Sequence, residues 1–149
     1  MLYIGSDHRG YNLKETLKNY LEGLNYVFED LGAKELISDD DYPDYALAVA
    51  QKVAEDPENN RGILICASGV GVDIVANKIK GIRSALCFDI QQTKASRNDD
   101  NTNILSLPAN FISESLAKEI VKTWLETPFS NSEHYIRRID KIKKIEESQ

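Results

Sequence analysis

No stretch of this chain stays apolar for the roughly 20 residues that a bilayer crossing requires. The opening Met1-Leu2-Tyr3-Ile4-Gly5 lacks the basic lead and long apolar run of a signal peptide. The expectation is therefore a cytoplasmic protein, no membrane partner, and a mature chain beginning at Met1. Cysteine is scarce: Cys66 and Cys87 are the only two, both in apolar runs and without metal-ligand spacing. A disulfide framework and a metal site are not expected, and in a reducing compartment both thiols stay free. Positive charge is not in excess. A formal net charge of −6 argues against a protein that grips nucleic-acid phosphates. Internal repeats and low-complexity linkers are also missing, so the 149 residues read as one domain, 1–149. A domain of that size buries roughly two thirds of its unfolded surface and needs no staple.

What is present alternates. Leu2–Gly5 reads as a strand, and Leu13, Leu17, Tyr20, Leu21 and Leu24 then recur at the helical step of three and four. Tyr26–Phe28 reads as a second strand. An Asp-rich loop follows, and Pro43 suits the first turn of a helix running through Val53. Gly62–Cys66 is continuously apolar, as in a strand buried on both faces. Val72–Lys80 is the next helix, Ser84–Phe88 the fourth strand, Gln91–Arg97 a helix, and Asn103–Leu107 the fifth strand. Helices from Ser113 to Leu125 and from about His134 to Glu147 complete the chain. Strands separated by helices pair in parallel through right-handed crossovers. The expected fold is α/β: a Rossmann-like, three-layer, doubly wound sheet of five parallel strands with a long C-terminal helix. Such sheets bind ligands beyond the carboxyl ends of their strands. The polar groups expected there are Gly5–Gly10 after strand one, Cys66–Gly71 after strand three, and Arg97–Asn101 after strand four and its helix.

Cys66 ends a buried strand just before a glycine-rich turn that opens a helix. The helix dipole and free N–H groups at such a place favour a thiolate, usable as base or nucleophile. The competing reading, a small inert core residue, suits Cys87, which sits mid-strand between Leu86 and Phe88. Three phosphate-binding patterns fail at this turn. After Gly69-Val70-Gly71 the third glycine of a dinucleotide fingerprint is missing, as is a Walker Lys-Ser/Thr pair, and Val72 stands where a Cys-x5-Arg loop needs arginine. What remains is a nest of N–H groups able to hold a developing oxyanion, each preorganised donor worth roughly 3 to 4 kcal/mol. Asp7-His8 reads equally as an acid–base pair, a phosphate ligand or a satisfied loop pair. Tyr42 could simply cap a helix, and His134 reads as an exposed histidine or a functional one alike. The basic run Arg137, Arg138, Lys141, Lys143 and Lys144 reads by default as a solvated helix face.

Five linked segments nonetheless occur in order: Gly5-Ser6-Asp7-His8-Arg9-Gly10-Tyr11, Asp41-Tyr42-Pro43-Asp44-Tyr45-Ala46, Gly62-Ile63-Leu64-Ile65-Cys66-Ala67-Ser68-Gly69-Val70-Gly71, Ala76-Asn77-Lys78 and Gly81-Ile82-Arg83. Together they resemble the type B ribose-5-phosphate isomerases, whose wider family includes galactose-6-phosphate isomerase subunits. The similarity runs from Met1 to the Arg137–Ile142 stretch. It implies an aldose–ketose isomerase using Cys66 as the base that shuttles a proton between C1 and C2 through an enediolate, in carbohydrate metabolism of the pentose phosphate type. It implies that Ser68 assists the base and that Ala67, Ser68, Gly69, Val70 and Gly71 supply N–H groups. Asp7, His8 and Tyr42 would contact the sugar, and Arg138 the phosphate. It further implies no metal or other cofactor, and a homodimer or tetramer whose sites are shared between chains.

Departures from the family pattern fall at Asp99-Asp100-Asn101, where the family has His-Asn-Asp with a ring-opening His, and at Asn110 and His134, where it has Arg. Tyr135 stands in place of a family His. Asp99 is thus the candidate for the missing acid–base role, with Asp100, Asn110 and His134 as further substrate contacts. The alternative these changes raise is an impaired homologue that binds sugar phosphate as a regulatory or partner subunit.

Overall fold

The computed structural model describes all residues, Met1–Gln149. In chain order the elements are β1 (Leu2–Ser6), α1 (Tyr11–Gly23), β2 (Phe28–Asp30), α2 (Tyr42–Ala54), β3 (Arg61–Cys66), α3 (Val70–Ala76), β4 (Ser84–Leu86), α4 (Ile90–Asp100), β5 (Ile104–Pro108), α5 (Glu114–Glu126) and α6 (Glu133–Glu147). All five strands pair in parallel in the order β2-β1-β3-β5-β4. No helix is long and apolar enough to cross a membrane.

Strand alternation builds two cores. Ile63 and Ile65 of β3, with Leu2 and Ile4 of β1 and Leu105 and Leu107 of β5, pack beneath Leu13, Leu17 and Leu21 of α1 and Ala117, Ile120, Val121 and Trp124 of α5. On the other face Tyr3, Leu64 and Cys66 meet Ala46, Val49, Ala50 and Val53 of α2 and Val72 and Ala76 of α3. β3 is covered on both sides, which is why its sequence shows no polar alternation. Gly62 admits α2 at close range, since a β-carbon there would stand 2.7 Å from Val49 Cγ1.

The edges are where sequence and structure part. β2 begins at Phe28 rather than Tyr26, because α1 ends through Asn25, whose φ of 62° turns the chain before pairing with β1 can start. β4 pairs only over Ser84–Leu86, and Cys87 is tied instead by its N–H to the Ser106 carbonyl. α3 begins earlier and ends sooner than its apolar pattern suggests, spanning Val70–Ala76.

α4 carries the largest correction. It runs antiparallel to the strands, from Asp89, whose carboxylate accepts the Gln92 N–H at 2.7 Å, back to the opposite edge of the sheet. There the Asn103 N–H bonds the Arg83 carbonyl at the root of β4. Asp99 and Asp100 therefore do not gather with Cys66 within one chain.

Candidate functional site

The chain turns outward from β1 to β2 and back across the sheet to β3, leaving β1 and β3 adjacent with their following loops diverging. That is the switch point at which doubly wound sheets hold ligands. A cleft of about 490 Å³ opens there, lined by Asp7, His8 and Arg9 after β1, Asp40, Asp41 and Tyr42 before and at the start of α2, and Cys66, Ala67, Ser68, Val70, Gly71 and Ile74 from the β3–α3 turn.

The turn is built by two glycines. Gly69 has φ +73°, and a β-carbon there would lie 2.5 Å from Leu86 Cδ1, so strain and sterics both demand glycine. Gly71 lets the Tyr42 ring lie against the backbone, since a β-carbon would stand 2.5 Å from Tyr42 Cζ. Cys66, only 5% exposed, points its sulfur into this turn and accepts the Gly69 N–H at 3.2 Å. The Ser68 hydroxyl accepts the Val70 N–H at 3.3 Å, leaving its own proton available. The N–H groups of Ala67, Ser68 and Gly71 donate to nothing within the chain. A sulfur beside converging amide donors suits a species that takes up a proton next to a developing oxyanion.

The opposite wall is acidic. Asp7 accepts the N–H groups of Arg9 and Gly10, each at 3.0 Å, so one of its oxygens holds the loop together. His8 contacts Asp40 twice: its N–H at 2.9 Å and its Nδ1 at 2.6 Å both meet Asp40 Oδ1. Burial by itself would push the Asp40 carboxyl up, but the His8 N–H, the His8 ring and the Tyr45 hydroxyl outweigh it and hold it below the usual carboxylate range. Asp7, His8 and Asp40 form the chain's one grouping with ligand atoms within 4.8 Å of one another. Within the chain, one Asp7 oxygen is satisfied by the Arg9 and Gly10 N–H groups and His8 Nδ1 by Asp40 Oδ1.

Of the residues singled out from sequence, Asp7, His8, Tyr42, Cys66, Ala67, Ser68, Val70 and Gly71 come together in the cleft, with Gly69 inside the turn. Asn110 is close by: its N–H donates to the Ala67 carbonyl at 2.9 Å. Asp99, Asp100, His134 and Arg138 are brought together elsewhere, where α6 meets the C-terminal end of α4. The Asp99 carboxylate beside Tyr135 raises the pKa of its hydroxyl, and Arg138 lies over the Tyr135 ring at 5.6 Å. Burial pushes the Asp100 carboxyl up, with Asp99 adding to it and Arg138 opposing. Sequence reasoning missed Asp40 and Tyr45. Nothing in the run Asp39-Asp40-Asp41 distinguishes its middle member, which is selected only because β2 lies beside β1 and so brings the two loops together.

The ribose/galactose isomerase family profile matches residues 2–142. The ribose-5-phosphate isomerase B structure from Mycoplasma genitalium with bound ribulose-5-phosphate superposes with a TM-score of 0.96 at 38% identity, covering 99% of this chain and 97% of that one. A ribose 5-phosphate isomerase structure from Thermotoga maritima gives 0.90 at 43% identity, over 96% and 97% of the two chains. The ribose-5-phosphate isomerase B of Mycobacterium tuberculosis is 33% identical over 145 residues, 97% of this chain and 89% of that protein. With sequence, topology and the cysteine turn in agreement, this chain belongs to the ribose/galactose isomerase family.

Proposed function

We propose that the protein interconverts ribose 5-phosphate and ribulose 5-phosphate through an enediolate, with Cys66 as the base. The observation that carries this reading is the Cys66 sulfur at the cleft wall, 3.2 Å from the Gly69 N–H and next to the unengaged amides of the same turn. The thiolate takes the C2 proton of the open-chain aldose, and the C1=O1 electron pair moves onto O1. The N–H groups of the turn hold the enediolate oxygen, where charge develops, rather than the ground-state carbonyl. Ser68, its hydroxyl oriented by the Val70 N–H, relays the O2 proton to O1. The Cys66 thiol then returns its proton to C1, giving the ketose with no net change in the enzyme. Asp7, His8 and Tyr42 face the sugar. The reading needs no metal or cofactor, and two free thiols fit a reducing, cytoplasmic setting.

The phosphate end is supplied by a second copy of the chain. Arg138 and Asp99, with His134 at the start of α6, lie on the far edge of their own sheet. α6 presents Ile136, Ile142 and Ile145 to the exterior, and the cleft side presents Val70, Ile74, Phe88 and Phe111. A homodimer, or a tetramer of such pairs, covers these apolar groups and carries Arg138 of one chain to the cleft of the other.

The test is Cys66→Ala. Ribose 5-phosphate conversion should fall by about 10²–10⁴-fold or more, while ribulose 5-phosphate still raises the melting temperature. A variant that turns over at the wild-type rate removes Cys66 from the mechanism. Wild-type protein that binds sugar phosphate without converting it would instead be a binding subunit.

A further inference from the structure

We propose that His8, oriented by Asp40, opens the sugar ring before proton abstraction begins. The inference rests on the isomerase reading and assigns a step that reading leaves open.

An aldopentose 5-phosphate in water is closed on itself through its 4-hydroxyl, and the closed form has no carbonyl to enolise. Opening it needs a group that both accepts and gives a proton inside the cleft. Cys66 is committed to carbon. One oxygen of Asp7 is held by the Arg9 and Gly10 N–H groups. The Asp40 side chain borders the cleft but is only 8% exposed and is bonded to His8, whose side chain is 24% exposed. Among the chain's own groups at the cleft, the imidazole is the one that offers an unengaged nitrogen. Because Asp40 is ionised, it can only accept, so the 2.6 Å contact fixes the proton on His8 Nδ1. Nε2 has no partner in the chain and keeps its lone pair for the ligand. The second bond to the same Asp40 oxygen, from the His8 N–H at 2.9 Å, locks carboxylate and imidazole together. The pair is held through Asp40 Oδ1 alone, since Asp40 Oδ2 is buried without a hydrogen-bond partner.

The step balances without a co-reactant. Nε2 takes the proton of the anomeric O1–H. C1=O1 forms as the C1–O4 bond breaks, and the electron pair left on O4 takes the proton back from Nε2. His8 ends neutral, and Asp40 stays ionised throughout, stabilising the transient imidazolium. Asp40 is therefore a positioning residue and His8 the catalytic one. Asp99 sits at the other edge of its own sheet and reaches a cleft only from a second copy of the chain, whereas His8 is part of the cleft in every chain.

The test compares two reactions of the same protein. Conversion of ribose 5-phosphate requires ring opening. Exchange of a C1 proton of ribulose 5-phosphate with deuterated water, read by proton NMR, does not, because that ketose carries phosphate on O5 and cannot close a five-membered ring. His8→Asn should lower the ratio of conversion to exchange by at least about a hundredfold. Asp40→Asn should lower it at least about tenfold, with Asp40→Glu recovering part of the loss. Circular dichroism establishes that each variant is folded. If His8→Asn leaves the ratio at the wild-type value, the proposal is overturned, whether the two rates fall together or not at all. Cys66→Ala separates the two readings, since it should abolish both reactions; exchange that survives it would sink the isomerase assignment rather than the role of His8.

Discussion

Two separately defective variants of this chain should repair each other when mixed. The perturbations are Cys66→Ala, which removes the proposed base, and Arg138→Ala, which removes the guanidinium proposed to bind phosphate. β3 has six residues. At about 3.3 Å each they set the two edges of the sheet about 17 to 20 Å apart, so an arginine on α6 cannot reach the cleft of its own chain. The lost charge-assisted hydrogen bond is worth about 1.5 to 3 kcal/mol, or roughly 10- to 150-fold in kcat/KM at about 1.4 kcal/mol per tenfold. Cys66→Ala alone should retain less than about 1% of wild-type turnover. In a randomly paired dimer about half the molecules combine one chain of each kind. In those, one of the two symmetry-related sites carries both lesions and the other carries none. The mixture should therefore return to about a quarter of wild-type activity, far above either parent. The assay is ribose 5-phosphate conversion below KM after co-expression, or after mixing unfolded chains and refolding them together. If light scattering shows dimers and the mixture remains no more active than the average of its parents, the sites are not shared between chains, and Arg138 must be removed from the phosphate role.

Acid stability offers an independent check on the loop that carries Asp40. Lys14, fully buried, donates to both oxygens of Asp30 at 3.0 and 2.7 Å and to the Ala33 carbonyl at 2.6 Å, pinning the chain after β2. Burial would raise the Asp30 carboxyl, but the Lys14, Lys18 and Gly32 donors hold it below its ordinary value. A depressed native pKa contributes stability above the unfolded value of about 3.9, and that stability is lost as pH falls through the native one. Urea melts from pH 6 to 2 should show that loss below about pH 4. Asp30→Asn should cost up to about 3 kcal/mol at neutral pH, because it removes the nearer of the two counter-charges of a buried lysine and leaves Glu15 at 3.6 Å, and should flatten the acid limb; an unchanged limb would exclude Asp30 as its source. The two cysteines should also differ in reactivity. Burial pushes the Cys87 thiol up, and its side chain is fully enclosed, whereas Cys66 borders the cleft. Peptide mapping after iodoacetamide at pH 7.5 should find Cys66 alkylated, with ribulose 5-phosphate protecting it, and Cys87 untouched. Preferential labelling of Cys87 would contradict the geometry.

The alternation of helical and strand patterns was enough to read the α/β class, because each signal is local. The continuous run Gly62–Cys66 marked the central strand, since only a strand covered on both faces can dispense with polar alternation. The turn Ala67–Gly71 marked the candidate site, since glycine at positions 69 and 71 answers to a positive φ and to a ring lying on the backbone, and both leave their trace as missing side chains. What the sequence does not state is which strands are neighbours. That order, β2-β1-β3-β5-β4, depends on pairing between residues distant in the chain. It brings Asp40 to His8 across 32 positions, and no local pattern distinguishes Asp40 from Asp39 or Asp41. It also sends Asp99 and Asp100 to the far edge, because a crossover helix must run back against the strands it joins. Local chemistry determined the kind of fold and the glycine-rich turn at the cleft. Only the tertiary structure decided which charged groups stand opposite that turn and which lie beyond the reach of their own chain.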